Sequence, residues 1–378
     1  KDAVVLKSLM EDVREVTDLE SLIQFPKQVE ASLNDELLGK IQFIETYGSI
    51  QKLLGKQEFN NFAFFKDKDG HMYYGSTLQT TNEDLSLYAK RLRRLNEYVL
   101  SKGKKMIFVM APYKVIEALP EEKKELPIND KTAVQDEFLT LLQQNNVKAL
   151  DMRIPMKQSG EPYDKLFFKT DHHWTPLGGF YGTQALVREI EKQFGEDLDP
   201  EDYYLNLEQY EQKNFPQTML GSMGKNTGYR YSGLDDFNIL YPKFNTEFIY
   251  EDYANDQRRQ GTFDQTLMLL EHLNDTNIYA GGPSQIYLEN CQEHDKVTNL
   301  KNPDAPSFLV LRDSYFSTMA PFLAMVSSEI EMVWANTKQN PEMNYEKFIR
   351  ENIDNYDYVI VEVYAQNIED SSFAFFEE

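Results

Sequence analysis

Cysteine is almost missing from this 378-residue chain. Cys291 stands alone, which excludes an internal disulfide and any thiolate metal cluster. Positive charge is scarce as well: 39 Lys and Arg face 62 Asp and Glu, a formal net charge of −23. The basic residues are scattered and form no stripe interleaved with aromatics, so nucleic acid is excluded as a partner. That acidity repels a strongly polyanionic glycan at long range and favours a neutral one, though it also simply keeps a protein in solution. No run approaches the about 18 uncharged apolar residues of a membrane span, yet 41% hydrophobic residues suffice for a large core. The chain opens at Lys1 with neither Met nor an apolar leader. The expectation is an extracytoplasmic protein, secreted or at the cell surface, with any membrane anchor lying upstream of these residues.

The pattern along the chain divides it. Residues 1–80 read as an N-terminal helical region, with helices over 5–55 broken at Phe25-Pro26, followed by a hairpin turning at Asp69-Gly70. Residues 81–378 read as one catalytic domain. Thr81 is a candidate cap for a helix carrying Leu85, Tyr88, Leu92, Leu95 and Val99 at helical spacing. Met106–Met110 is a continuous apolar run, the mark of a strand buried on both faces. A helix over about 131–145, a strand at 147–152 and a helix from Pro176 to Phe194 follow. Late strands are expected at Phe308–Leu311, Ile330–Trp334 and Tyr358–Val363. This alternation predicts an α/β fold, a three-layer α/β/α sandwich on a mainly parallel sheet. The acidic stretch 196–275, with Tyr203, Tyr204, Tyr210, Tyr229, Tyr231, Tyr241, Tyr250 and Tyr253, breaks the rhythm and reads as an insertion or cap beside the sheet. Its rings either pack a satellite core or stack on sugars.

Histidine is rare too, five in all, and two of the five are adjacent. In Thr170-Asp171-His172-His173-Trp174-Thr175-Pro176, Thr175 caps a helix and Pro176 opens it. An extended lead-in would put Asp171 and His173 on one side and His172 on the other. A carboxylate can then hold one ring nitrogen and leave the second as a base. Because the two histidines should point apart, a metal site is not expected and no cofactor is assigned. Gly178, Gly179 and Gly182 weaken the helix and imply its close approach to the sheet.

A serine nucleophile belongs at a strand-to-helix turn, where backbone N–H groups can receive an oxyanion. Ser314 fits, at the carboxyl end of the strand ending in Arg312; Ser317 reads as a helix cap and Ser307 as a strand opener. Asp171-His172-His173-Trp174 together with the later Arg312-Asp313-Ser314 resembles the DHHW family, related to the alginate O-acetyltransferases within the SGNH-hydrolase-like superfamily. Phe65–Gly70, Asp236-Phe237-Asn238 and Tyr241-Pro242-Lys243 extend the likeness. The resemblance implies Asp171, His173 and Ser314 as catalytic residues, in an order permuted relative to ordinary SGNH hydrolases. Arg312 stands where those have glycine, and is grouped with the oxyanion and substrate residues. Further oxyanion donors are expected from Gly282, after a strand-like Asn277–Ala280, and from Asn367 (or its neighbour Gln366), where SGNH enzymes place an asparagine.

The expected function is acyl transfer, acetyl in the first instance, to hydroxyls of an extracytoplasmic polysaccharide. The resemblance implies a membrane-bound acyltransferase as the partner supplying acetyl groups. An acetyl esterase using the same triad and a non-catalytic carbohydrate-binding scaffold are the alternatives.

Overall fold

The computed structural model describes residues 40–75, 84–114, 127–275, 277–279 and 281–376. The helices expected before residue 40, the Thr81 cap and Ala280 lie outside the described residues.

Thirteen strands are assigned among the described residues. β1 (Glu58–Phe59), β2 (Phe64–Lys66) and β3 (Met72–Tyr74) form a small antiparallel sheet, with Gly70 at φ +90° in the β2–β3 turn. β4 (Lys105–Ala111) and β5 (Ala149–Asp151) belong to the large sheet, and β6 (Tyr210–Met219) pairs only with β7 (Asp235–Pro242). β8 (Phe248–Asp252), β9 (Gln257–Gly261), β10 (His294–Asn299), β11 (Ser307–Arg312), β12 (Glu329–Trp334) and β13 (Tyr358–Tyr364) complete the set.

The fold is mixed α/β around an eight-stranded sheet in the order β5-β4-β13-β11-β12-β10-β8-β9. The first five strands are mutually parallel. Their apolar runs are buried on both sides. Ile107, Val109, Phe308, Val310, Tyr358 and Ile360 join one apolar cluster, which contains Phe180, Leu186 and Ile190 of the helix Pro176–Phe194. Met106, Phe108, Leu309, Leu311, Val359 and Val361 join another, with Leu92 and Leu95 of the helix Leu85–Ser101 and Phe138 and Leu142 of the helix Thr132–Gln144. Asp84 caps the Leu85–Ser101 helix by accepting the Leu87 N–H.

The sheet is mainly parallel, as the sequence leads one to expect, but β10, β8 and β9 extend it in antiparallel fashion. Two of these strands come from the 196–275 stretch, which therefore builds sheet as well as lying beside it. β9 reads Gln-Arg-Arg-Gln-Gly and is largely exposed, a charged edge that discourages further pairing. It lacks the apolar alternation by which strands are recognised. Of the tyrosines in that stretch, Tyr210, Tyr231 and Tyr250 are buried, whereas Tyr203, Tyr229 and Tyr253 are exposed.

The chain runs from β11 to β12 on one side and then returns to β13 on the other. The carboxyl end of β11 is thus a switch point, the crevice where open α/β sheets place their sites. Ser314 lies there.

Candidate active site

The segment from Leu166 to Thr175 is held through its backbone by buried side chains rather than by regular structure. Lys114 is fully buried, and its ammonium donates to the carbonyls of Met72, Lys169 and Asp171 at 2.8–3.0 Å. Buried Asp235 accepts the N–H groups of Lys169 and Thr170 and the Thr170 hydroxyl. Burying these charges is tolerable only because each is fully hydrogen-bonded. Thr175 caps the next helix by accepting the Gly178 N–H, and the helix runs Pro176–Phe194 as expected. Its glycines meet side chains and a carbonyl of the site, not the sheet. A Cβ on Gly179 would lie 2.9 Å from the Thr318 hydroxyl, and one on Gly182 2.9 Å from the Trp174 ring.

Within this frame three side chains meet. His173 Nδ1 lies 2.7 Å from Asp171 Oδ1, and His173 Nε2 lies 2.8 Å from Ser314 Oγ. An ionised Asp171 can only accept, so the ring proton is on Nδ1 and the Nε2 lone pair faces the serine hydroxyl. Asp171 Oδ1 also accepts the His173 N–H, and Oδ2 accepts the Ser222 N–H at 2.5 Å. Gly221 must be glycine for this approach, since a Cβ there would lie 2.4 Å from the Asp171 Cβ. Burial alone would raise the Asp171 pKa. The charge that His172 and His173 carry when protonated, with the bonds from His173 and Ser222, outweighs it and holds the group well below the ordinary carboxylate range.

His172 does not face away, contrary to expectation. The segment bends, and the two imidazole rings lie 3.9 Å apart, centroid to centroid. His172 Nδ1 contacts the Ser222 hydroxyl at 3.1 Å. Burial first, then the neighbouring His173 charge, pushes its pKa down to about 3, so at neutral pH it is an uncharged wall. The argument against a metal from diverging histidines therefore fails: ligand atoms of Asp171, His172 and His173 lie within 4.8 Å of one another. Those atoms are nevertheless committed to one another, to Ser222 and to Ser314, which fits a proton relay better than a chelate.

Ser314 opens a 3-10 turn, Ser314–Thr318, capped by Asp313, whose carboxylate accepts the Tyr315 N–H. The other Asp313 oxygen accepts from the Tyr364 N–H and the Asn367 amide. Glu362 is fully buried beneath the turn and accepts the Asp313 N–H at 3.1 Å. Burial, then the Asp313 charge, raises the Glu362 carboxyl well above its usual range.

Three sequence-assigned residues have other duties. The Gly282 N–H is donated to Asp275 at 3.2 Å, no strand precedes it at 277–279, and its φ of +81° serves a turn. Asn367 donates to Asp313 at 2.9 Å and is not among the residues lining the cavity beside Ser314. Arg312 is fully buried, ion-paired with Asp295 at 2.7 Å, and donates to Cys291 Sγ and to Ser317 Oγ; it cannot reach a substrate. Sequence reasoning missed Lys114, Gly221, Ser222 and Glu362. Of these, only the Gly221-Ser222 pair had a local signal, two small residues following an apolar Met219-Leu220.

Ser314, His173 and Asp171 open into a cavity of about 290 Å³. Its lining includes the apolar Phe168, Trp174, Met219, Leu220 and Phe237 together with Ser284, Tyr287 and Asn290. A larger hollow of about 620 Å³ at Pro341–Phe376 carries no nucleophile and base.

A family model described as an SGNH hydrolase-like domain, acetyltransferase AlgX, matches residues 66–236, just under half of the chain. A probable alginate O-acetylase, AlgJ, of Pseudomonas putida is 28% identical over 123 residues, or 32% of this chain. Residues 66–236 are thus similar to the SGNH hydrolase-like acetyltransferase domain. The match spans only 31% of that relative's length. The chain also resembles solved structures. A DHHW family protein from Eubacterium siraeum superposes with a TM-score of 0.59 at 18% identity, over 84% of this chain and 97% of the other. Bacillus cereus PatB1 with a sulfonyl adduct gives 0.63 at 17% identity, over 83% and 99%. At such identities the likeness is one of fold.

Proposed function

We propose that this protein transfers an acyl group, acetyl in the first instance, to hydroxyls of an extracytoplasmic polysaccharide through an acyl-enzyme on Ser314. The observation that carries the reading is the 2.8 Å approach of His173 Nε2 to Ser314 Oγ, with Asp171 behind the ring. The Ser314 oxygen attacks the donor carbonyl carbon while its proton passes to His173 Nε2. The carbonyl electron pair moves to oxygen, where the Ser314 N–H is one donor; that N–H has no acceptor among the described residues. Collapse expels the donor alkoxide, which takes the proton from His173. A sugar hydroxyl then repeats the sequence in reverse, with His173 as base, and leaves as the ester. Asp171 steadies the imidazolium throughout.

The names of the related acetyltransferases support the acetyl group and the glycan acceptor. With the reading go a location outside the cytoplasm and a membrane-bound acyltransferase as the acetyl source. We also propose the helix–sheet–helix layering of the sandwich, which the two apolar clusters support, and a division near residue 80. Among the described residues no helix is long and apolar enough to cross a membrane.

The test is a chromogenic acetyl ester supplied with and without neutral oligosaccharides. Acetylated sugar, formed by wild type but not by Ser314→Ala, supports the reading. Free acetate at a rate no glycan alters makes the protein an esterase. A wild type that turns over no ester, and whose Ser314 resists a serine-directed sulfonyl probe, removes the catalytic account.

A further inference from the structure

The cavity is larger than an acetyl group needs. A three-atom acyl fragment takes on the order of 90 Å³ if each heavy atom claims about the 30 Å³ of a liquid water, so most of the 290 Å³ remains for another group. The cavity's lining combines apolar side chains, Phe168, Trp174, Met219, Leu220 and Phe237, which are almost wholly buried and give it shape, with polar side chains that can supply hydrogen bonds.

The pocket's polar side chains are nearly all engaged. Trp174 Nε1 donates to the Tyr315 carbonyl and the Thr318 hydroxyl. The Tyr287 hydroxyl is bonded to both backbone groups of Leu240. Ser222 is held by His172, Ser284 by the Gly281 carbonyl, and Ser317 accepts from Arg312; Lys225 reaches the Gly281 carbonyl. The Asn290 carboxamide lies at the rim and has no partner among the described residues. It offers both a donor and an acceptor.

The backbone that presents it is unusual. Leu288, Glu289 and Asn290 have consecutive φ values of 50°, 52° and 74°, a left-handed run that costs stability in non-glycine residues. The other run of three, Asn60–Phe62, closes the β1–β2 turn. The 288–290 run instead borders the pocket and is pinned at its ends: the Leu288 N–H donates to the Leu267 carbonyl, and Arg312 binds Cys291 and Gln292. Because the same guanidinium donates to Ser317, it couples this rim to the nucleophile turn.

We infer that Asn290 is the acceptor-positioning residue, binding two neighbouring hydroxyls of a neutral pyranose that enters this cavity. The inference rests on the acyl-enzyme reading and names what selects sugar over water as the second substrate. Two adjacent hydroxyls match one carboxamide, which donates to one and accepts from the other. The net charge of −23 argues against a uronic acid in that place.

The experiment measures the ratio of acetyl transferred to acetyl hydrolysed, using the chromogenic ester with a neutral oligosaccharide over a range of concentrations. Asn290→Gly accepts the left-handed φ without strain and removes the carboxamide; its thermal midpoint should equal or exceed that of wild type. The ratio should fall about tenfold through a higher acceptor KM. Asn290→Asp, which also tolerates the conformation, should lose transfer to a similar degree. An unchanged ratio in both variants overturns the inference while leaving the acyl-enzyme intact. So does a uronic acid oligomer that accepts better than the neutral one. A wild type that hydrolyses no ester brings down both readings together.

Discussion

The two sides of the pocket are built on opposite principles. On the inner side, Asp171 and His173 are fixed by charge-assisted hydrogen bonds, a buried ammonium and close glycine contacts. On the outer side, Asn290 stands on a left-handed backbone run, open to the cavity. The inner side hangs from the parallel strands and the outer from the chain leading into antiparallel β10. The contrast teaches that proton transfer needs geometry held within about 0.5 Å and 10–20°, which dense bonding supplies. Holding a second substrate needs reach and shape, which a loop supplies.

Breaking the inner side should cost most. Ser314→Ala is expected to lower kcat for the chromogenic ester by on the order of 10⁶, with the thermal midpoint nearly unchanged. Asp171→Asn should follow at about 10⁴, because the amide favours the wrong imidazole tautomer; steady-state kinetics at neutral pH reads both. The link between the two sides comes next. Arg312→Met leaves Asp295 buried and unpaired, and should destabilise the fold by about 3–5 kcal/mol in denaturant titration.

Two smaller effects sharpen the comparison through pH. Glu362, whose folded pKa lies above its unfolded value, binds its proton more tightly in the native state. Its contribution is present below about pH 4.3 and is lost as pH rises towards the folded value, with a slope of up to about 1.4 kcal/mol per unit. Glu362→Gln keeps an acceptor for the Asp313 N–H, so it should raise the thermal midpoint more at pH 8 than at pH 5. His172 has the opposite sign. Its folded pKa of about 3 is below the free value of 6.5, so stability is full above about pH 6.5 and falls as pH drops towards 3. His172→Gln should flatten that fall, measured as midpoint against pH.

The same division explains what could be read from the residues. β4, β11, β12 and β13 are apolar runs with sharp ends, and Thr175-Pro176 marks a helix start by side-chain chemistry alone, so both the parallel core and the Asp171–His173 segment were legible. Ser314 followed from its place at the end of such a run. β8 to β10 were not legible, because strands such as Gln257–Gly261 and His294–Asn299 owe their place to pairing partners. The close approach of His172 to His173 goes with a bend in a segment that Lys114 holds, 57 residues away from the Asp171 carbonyl it binds. Arg312, Gly282 and Asn367 were misread for one reason: a polar group beside a nucleophile can serve the scaffold as readily as the substrate, and only its partners reveal which.

Trp174 gives the pocket an optical handle. It is one of two tryptophans in the chain, its indole N–H is anchored to the nucleophile turn, and its ring lines the cavity. The other, Trp334, ends β12 away from that lining. Replacing Trp334 by phenylalanine would leave a protein whose intrinsic fluorescence reports acylation of Ser314 and arrival of the sugar in real time, without a dye.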